Sequence, residues 1–115
     1  MKQRSAAPQP AGPDRPAVVE LSGNVDLEHS PDVRRRLLDA VKTARRLLVD
    51  LSEVTYIDSS GIACLVEALQ SARSKDGDLA LVSVSMQAMR VLELARLDMV
   101  FSIHEDLAAA RAAQA

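Results

Sequence analysis

Val49-Asp50-Leu51-Ser52-Glu53-Val54-Thr55-Tyr56-Ile57-Asp58-Ser59-Ser60-Gly61-Ile62 is the stretch on which the fold turns. With Arg46-Leu47-Leu48 ahead of it, residues 46–51 form a near-continuous apolar strand, the pattern of a strand covered on both faces in a partly parallel sheet. A short loop leads to Tyr56-Ile57-Asp58-Ser59-Ser60-Gly61. A helix then follows, with Ile62, Leu65, Val66 and Leu69 on one face. Lys75-Asp76-Gly77-Asp78 breaks that helix, and Leu79–Val84 is the next strand. Strand, helix and strand at this spacing make a βαβ unit, which sets the two strands parallel.

Upstream, Ala17–Leu21 reads as a strand ended by Ser22-Gly23, and Gly23-Asn24 is a turn signal. Val25 and Leu27 alternate around Asp26, which predicts a second short extended piece. Ser30 is placed as N-cap of the first helix, with Pro31 at its first position and Asp32 in its first turn. Val33, Leu37, Ala40, Val41 and Ala44 form the inward stripe. Downstream, Ser85 caps a third helix with the stripe Ala88, Val91, Leu92 and Ala95; Met99–Ile103 is a last short strand, and residues 106–113 are helical. The sum is an α/β fold: a single domain with a mixed sheet of four to five strands and about four helices. Residues 1–16 hold four of the five prolines and almost no large apolar side chain, so they are expected to form a disordered N-terminal tail ahead of a domain at 17–115.

Composition excludes several functions. The chain of 115 residues carries a formal net charge of −2, one Tyr, one Phe and no Trp. It has neither the basic face that duplex binding needs nor a stacking platform for single strands, so no direct nucleic-acid partner is expected. Arg34-Arg35-Arg36 fans out over about 200° of a helix and forms no single patch. Cys64 is the one cysteine, which fits a reducing compartment. The first thirty residues show no signal-peptide stretch, and no run reaches about 18 apolar residues, so the expected place is the cytoplasm without membrane insertion. One Cys and two distant His make no metal site, and there is no Gly-rich phosphate cradle, so no metal or cofactor is expected. A nucleophilic Ser59 would need an oriented base. The Gly-x-Ser-x-Gly elbow is absent, and His29 and His104 look like exposed polar residues, so no catalytic residue is assigned and the chain is not expected to be an enzyme.

Ser59 and Ser60 fall where a helix leaves its first N–H groups unpaired, and one of them could simply be the N-cap. Over residues 17–110 the sequence resembles the STAS family, and within it the bacterial anti-sigma factor antagonists. The resemblance rests on Asp58-Ser59-Ser60-Gly61 following Val49-Asp50-Leu51-Ser52, supported by Leu21-Ser22-Gly23-Asn24-Val25-Asp26 and Val91-Leu92-Glu93-Leu94-Ala95-Arg96-Leu97. It implies that Ser59 is the phosphorylated serine. The kinase it implies is an anti-sigma factor with an ATP-binding fold of the histidine-kinase type, bound by the unphosphorylated chain and released by the phosphorylated one. A serine phosphatase would reset the switch. The partner surface it implies comprises Asn24, Asp26, Asp58, Ser59, Ser60 and Gly61. Asn24 departs from the Glu of many members and is equally readable as a turn residue with positive φ. Two other roles within the resemblance are a subunit docking on the ATPase of a lipid-transporting ABC transporter and a partner-switching regulator of a non-sigma output.

Overall fold

The computed structural model describes residues 15–114. Four strands, β1 (Ala17–Val25), β2 (Arg46–Ile57), β3 (Asp78–Val82) and β4 (Ser102–His104), lie in the order β1-β2-β3-β4. Four helices accompany them: α1 (Ser30–Thr43), α2 (Ser59–Ser74), α3 (Met86–Leu94) and α4 (Leu107–Gln114). Every pairing among the described strands is parallel, so the antiparallel component of the expected mixed sheet is not seen among the described residues. Residues 1–14 of the expected tail lie outside the described residues, and Arg15 sits in an isolated β-bridge.

The strand alternation separates two cores. Leu47, Val49, Leu51, Leu79 and Leu81 meet α1, α2 and α3, through Leu37, Leu65, Leu69 and Leu92 among others. Leu48, Ala80 and Val82 point the other way, onto Leu107 and Ala110 of α4. This two-sided cover is why residues 47–51 read as one apolar run rather than an alternating one.

Four predicted boundaries are corrected. The loop expected after Leu51 is strand: β2 continues to Ile57 and pairs with β1 throughout. The register moves from Glu20↔Asp50 to Ser22↔Glu53, and from Gly23↔Val54 to Asn24↔Tyr56, so β2 carries an extra residue at two bulges. Gly23-Asn24 is therefore no turn. Gly23, at φ +68, absorbs the distortion inside a continuous β1, and Asn24 is an exposed strand residue. At the end of β3, Ser83 adopts a left-handed φ of 52 and stops the strand at Val82. The last strand is also shorter than expected: Leu97–Met99 is a 3-10 turn entered through Arg96 at φ 61, and pairing starts only at Ser102.

The three arginines of α1 do diverge. Arg34 Nε and Nη2 bind Glu67 of α2 at 2.8 and 2.6 Å, Arg35 pairs with Asp32, and Arg36 donates to the Glu20 carbonyl at 2.8 Å. All three partners lie within the chain.

Candidate functional site

β1 and β2 end side by side, with Val25 opposite Ile57, at the carboxyl edge of the sheet. Open parallel sheets commonly bind their ligands at this edge. β1 runs on into the Asp26–His29 turn, and β2 runs on through Asp58 into α2.

Asp58 joins the two segments. Its backbone is extended, and its Oδ1 accepts from the N–H groups of Ser60 (2.9 Å) and Gly61 (3.2 Å), which makes it the N-cap of α2. Its Oδ2 accepts from Leu27 N at 3.3 Å, and its own N–H donates to the Val25 carbonyl at 3.2 Å. Neither serine is needed as the cap. Ser59, the first residue of α2, is exposed, and among the described residues its hydroxyl makes no hydrogen bond. Ser60 is half-buried and Gly61 is buried.

Asp26 accepts from the His29 backbone N–H (3.2 Å) and from His29 Nδ1 (2.7 Å) through the same Oδ1. Its carbonyl takes the N–H groups of His29 and Ser30 at 3.1 and 2.8 Å. His29 is consequently the N-cap of α1 and bears no side-chain cap bond, while the Ser30 hydroxyl donates back to the Leu27 carbonyl at 3.1 Å. The predicted N-cap role of Ser30 is thus replaced by a backbone turn that Asp26 closes. Asn24 stands at the rim, its Oδ1 accepting from Thr55 Oγ1 at 3.4 Å.

The structure brings Asp26, Asp58, Ser59, Ser60 and Gly61 together, with Asn24 one strand step before Val25. Sequence patterns missed three contributors. Leu27, 73% exposed, is tied to Asp58 through its backbone, which no side-chain pattern reveals. His29 is more than an exposed polar residue, and its signal was its i, i+3 spacing from Asp26. Tyr56, 52% exposed, adds a second large side chain to the same edge. The segments that meet at this edge, residues 25–29 and 57–61, hold Asp26, Glu28 and Asp58 and no Lys or Arg, so the edge is acidic.

The hydrogen bond from His29, reinforced by charge, holds the Asp26 carboxyl below its ordinary value, and the same bond holds the His29 imidazolium above its own. The raised His29 value makes the pair's contribution complete below the ordinary histidine range and lost as pH rises through the raised value. The lowered Asp26 value makes it complete above the ordinary carboxylate range and lost as pH falls through the lowered value. The turn is therefore tightest between those two limits. In a proton NMR titration, His29 should titrate above the ordinary histidine range, and Asp26→Asn should bring it down to that range; an unmoved His29 would show that the pair does not form in solution.

A parallel α/β domain that presents an exposed serine at a helix start, beside an acidic turn, is built as a small recognition module. The chain belongs to the STAS domain family: the family model described as "Mlab, STAS domain" matches residues 9–105, starting ahead of the boundary at 17 expected from composition. It is 32% identical over 86 residues to an anti-sigma-B factor antagonist of Listeria monocytogenes, spanning 74% of this chain and 75% of that relative. It is also similar to the crystal structure of an anti-sigma factor antagonist from Mycobacterium paratuberculosis, with TM-score 0.77 and 25% identity over 85% of this chain and 84% of that one. SpoIIAA, a Bacillus cell fate determinant, in its phosphorylated form shares the fold, with TM-score 0.65 and 16% identity over 83% of this chain and 86% of that one. Among the described residues, no helix is long and apolar enough to cross a membrane.

Proposed function

We propose that this chain is an anti-sigma factor antagonist of the cytoplasm, a binding switch without catalysis, controlled by phosphorylation of Ser59. The carrying observation is the exposed Ser59 hydroxyl, unbonded among the described residues, at the centre of an edge framed by Leu27, Tyr56, Asp26 and Asp58. In the unphosphorylated state the partner, an anti-sigma factor with serine kinase activity, closes over this hydroxyl. Phosphorylation places about −1.5 to −2 charges there.

The capping geometry supports release rather than internal capture of the phosphate. A helix start ordinarily offers its free N–H groups to an anion. Here the Asp58 carboxylate already takes those of Ser60 and Gly61. A phosphate on Ser59 would meet a carboxylate instead of two free donors, and would point outward. A separate serine phosphatase then resets the surface.

The test is phosphorylation of the full chain by its cognate anti-sigma kinase with ATP, followed by peptide mass spectrometry. Phosphate on Ser59, abolished in Ser59→Ala, is the expected result. Phosphate confined to Ser60, or none on either serine, would overturn the assignment.

A further inference from the structure

We propose that α3 and the 3-10 turn behind it form a self-association surface whose occupant is a second copy of this chain. The buried stripe of α3 is Ala88 and Leu92. The opposite stripe, Met86, Arg90 and Leu94, recurs every four residues and therefore lies on one helical face. Met86 is 75% exposed and Leu94 83%, and Met99, at the end of the 3-10 turn, is 84% exposed. Those are the three most exposed large apolar side chains of the described residues. An outward stripe with a large exposed apolar side chain at each end, Met86 and Leu94, is not explained by the fold, because the core is already filled from the other side of α3.

The charges decide the occupant. Arg90, Glu93, Arg96 and Asp98 are all exposed in the same segment, and among the described residues none makes an ion pair or hydrogen bond through its side chain. Elsewhere, Arg34, Arg35, Lys42 and Arg73 have acidic partners within the chain, and the exposed bases Arg45, Lys75 and Arg111, unpaired among the described residues, lie outside this segment, away from an exposed apolar stripe. A surface of one sign, such as the acidic edge at Ser59, would select a partner of the other sign. Two acids and two bases interleaved around an apolar centre complement themselves across a two-fold axis, where each patch meets its own copy. Arg90 and Arg96 of one copy then lie against Glu93 and Asp98 of the other. The patch spans one short helix and a turn, which places the contact in the small, transient class of interfaces.

Sedimentation velocity of the full chain, from low to high micromolar concentration, reads the association directly. The wild-type protein should shift toward twice the chain mass as concentration rises, and Leu94→Lys should remain monomeric throughout. Two charge variants make the reading specific. Arg90→Glu with Arg96→Glu leaves only acids in the patch, and Glu93→Lys with Asp98→Lys leaves only bases. Each alone should self-associate at least about tenfold more weakly than wild type, and an equimolar mixture should recover the dimer. A wild-type chain that stays monomeric at every concentration, or a Leu94→Lys variant that dimerises as wild type does, would overturn the proposal. So would a mixture no more associated than its separate components.

Discussion

Ser59→Asp should bind the anti-sigma partner at least about a hundredfold more weakly than Ser59→Ala, a difference of ~3 kcal/mol. The phosphorylated chain should bind more weakly still. General repulsion is not the source of this loss. The edge around Ser59 is already acidic, with Asp26, Glu28 and Asp58 in the two converging segments, so any partner that docks here tolerates negative charge at the rim. The penalty arises at the centre. A partner closed over a small neutral hydroxyl must strip water from the new carboxylate or phosphate, and the donors that could repay the desolvation, the Ser60 and Gly61 N–H groups, are held by Asp58. Two consequences separate this account from a folding defect or a surface-charge effect. Asp at the first helical position is favourable to the helix dipole, so Ser59→Asp should melt no lower than wild type. A buried charge is weakly screened, so raising the salt should recover little of the lost affinity. Isothermal calorimetry at low and high salt measures both affinities; values for the Ala and Asp variants within twofold of each other would remove the desolvation mechanism.

Much of the fold was legible because its helices obey a single period. The stripes Val33-Leu37-Val41 and Ala88-Leu92 are buried as the spacing requires, and Ser85 caps α3 by accepting from Ala88 N at 3.1 Å. The βαβ unit from β2 to β3 followed from the apolar run at 47–51 and the break at 75–78. The bulges were hidden because an extra residue breaks the period-two alternation. Residues 51–57 show buried positions only at Leu51, Val54 and Ile57, a spacing of three that reads as a loop. The cap of α2 was not legible for a different reason. Ser, Asp and Asn are near-equal caps, so sequence cannot say which of Asp58, Ser59 and Ser60 takes the role; the extended backbone of Asp58 decides it. Within the site, adjacency along the chain made Asp58 to Gly61 visible. The bond from Leu27 N to Asp58 spans 31 residues and depends on the β1–β2 register, which the two bulges had obscured.

Gly61→Val should be the most destabilising single substitution within the candidate site. A Cβ on residue 61 would lie 2.4 Å from the Val25 carbonyl oxygen, 2.7 Å from Val25 Cγ1 and 2.8 Å from Ile57 Cγ1. Side chains can rotate away, but the Val25 carbonyl cannot: it accepts from Asp58 N and belongs to β1 where β1 meets β2. The start of α2 must therefore move off the sheet. Overpacking of this kind costs about 1–3 kcal/mol, and the branched side chain adds two methyl groups to the overlap. Gly61→Ala tests the same contact more gently, because the gain of up to ~1 kcal/mol in helix propensity opposes the clash. The expected order of melting temperature is wild type, then Gly61→Ala, then Gly61→Val. Combining Gly61→Ala with Val25→Ala should rescue little, since the nearest obstruction is backbone that Val25→Ala leaves in place. The same displacement should pull Asp58 from Leu27 N and loosen the recognition edge, so partner affinity should fall together with stability. Thermal unfolding by circular dichroism measures the order; a Gly61→Val variant that melts as wild type does would mean that α2 does not rest on the Val25 carbonyl, and the geometry joining the two halves of the site would have to be abandoned.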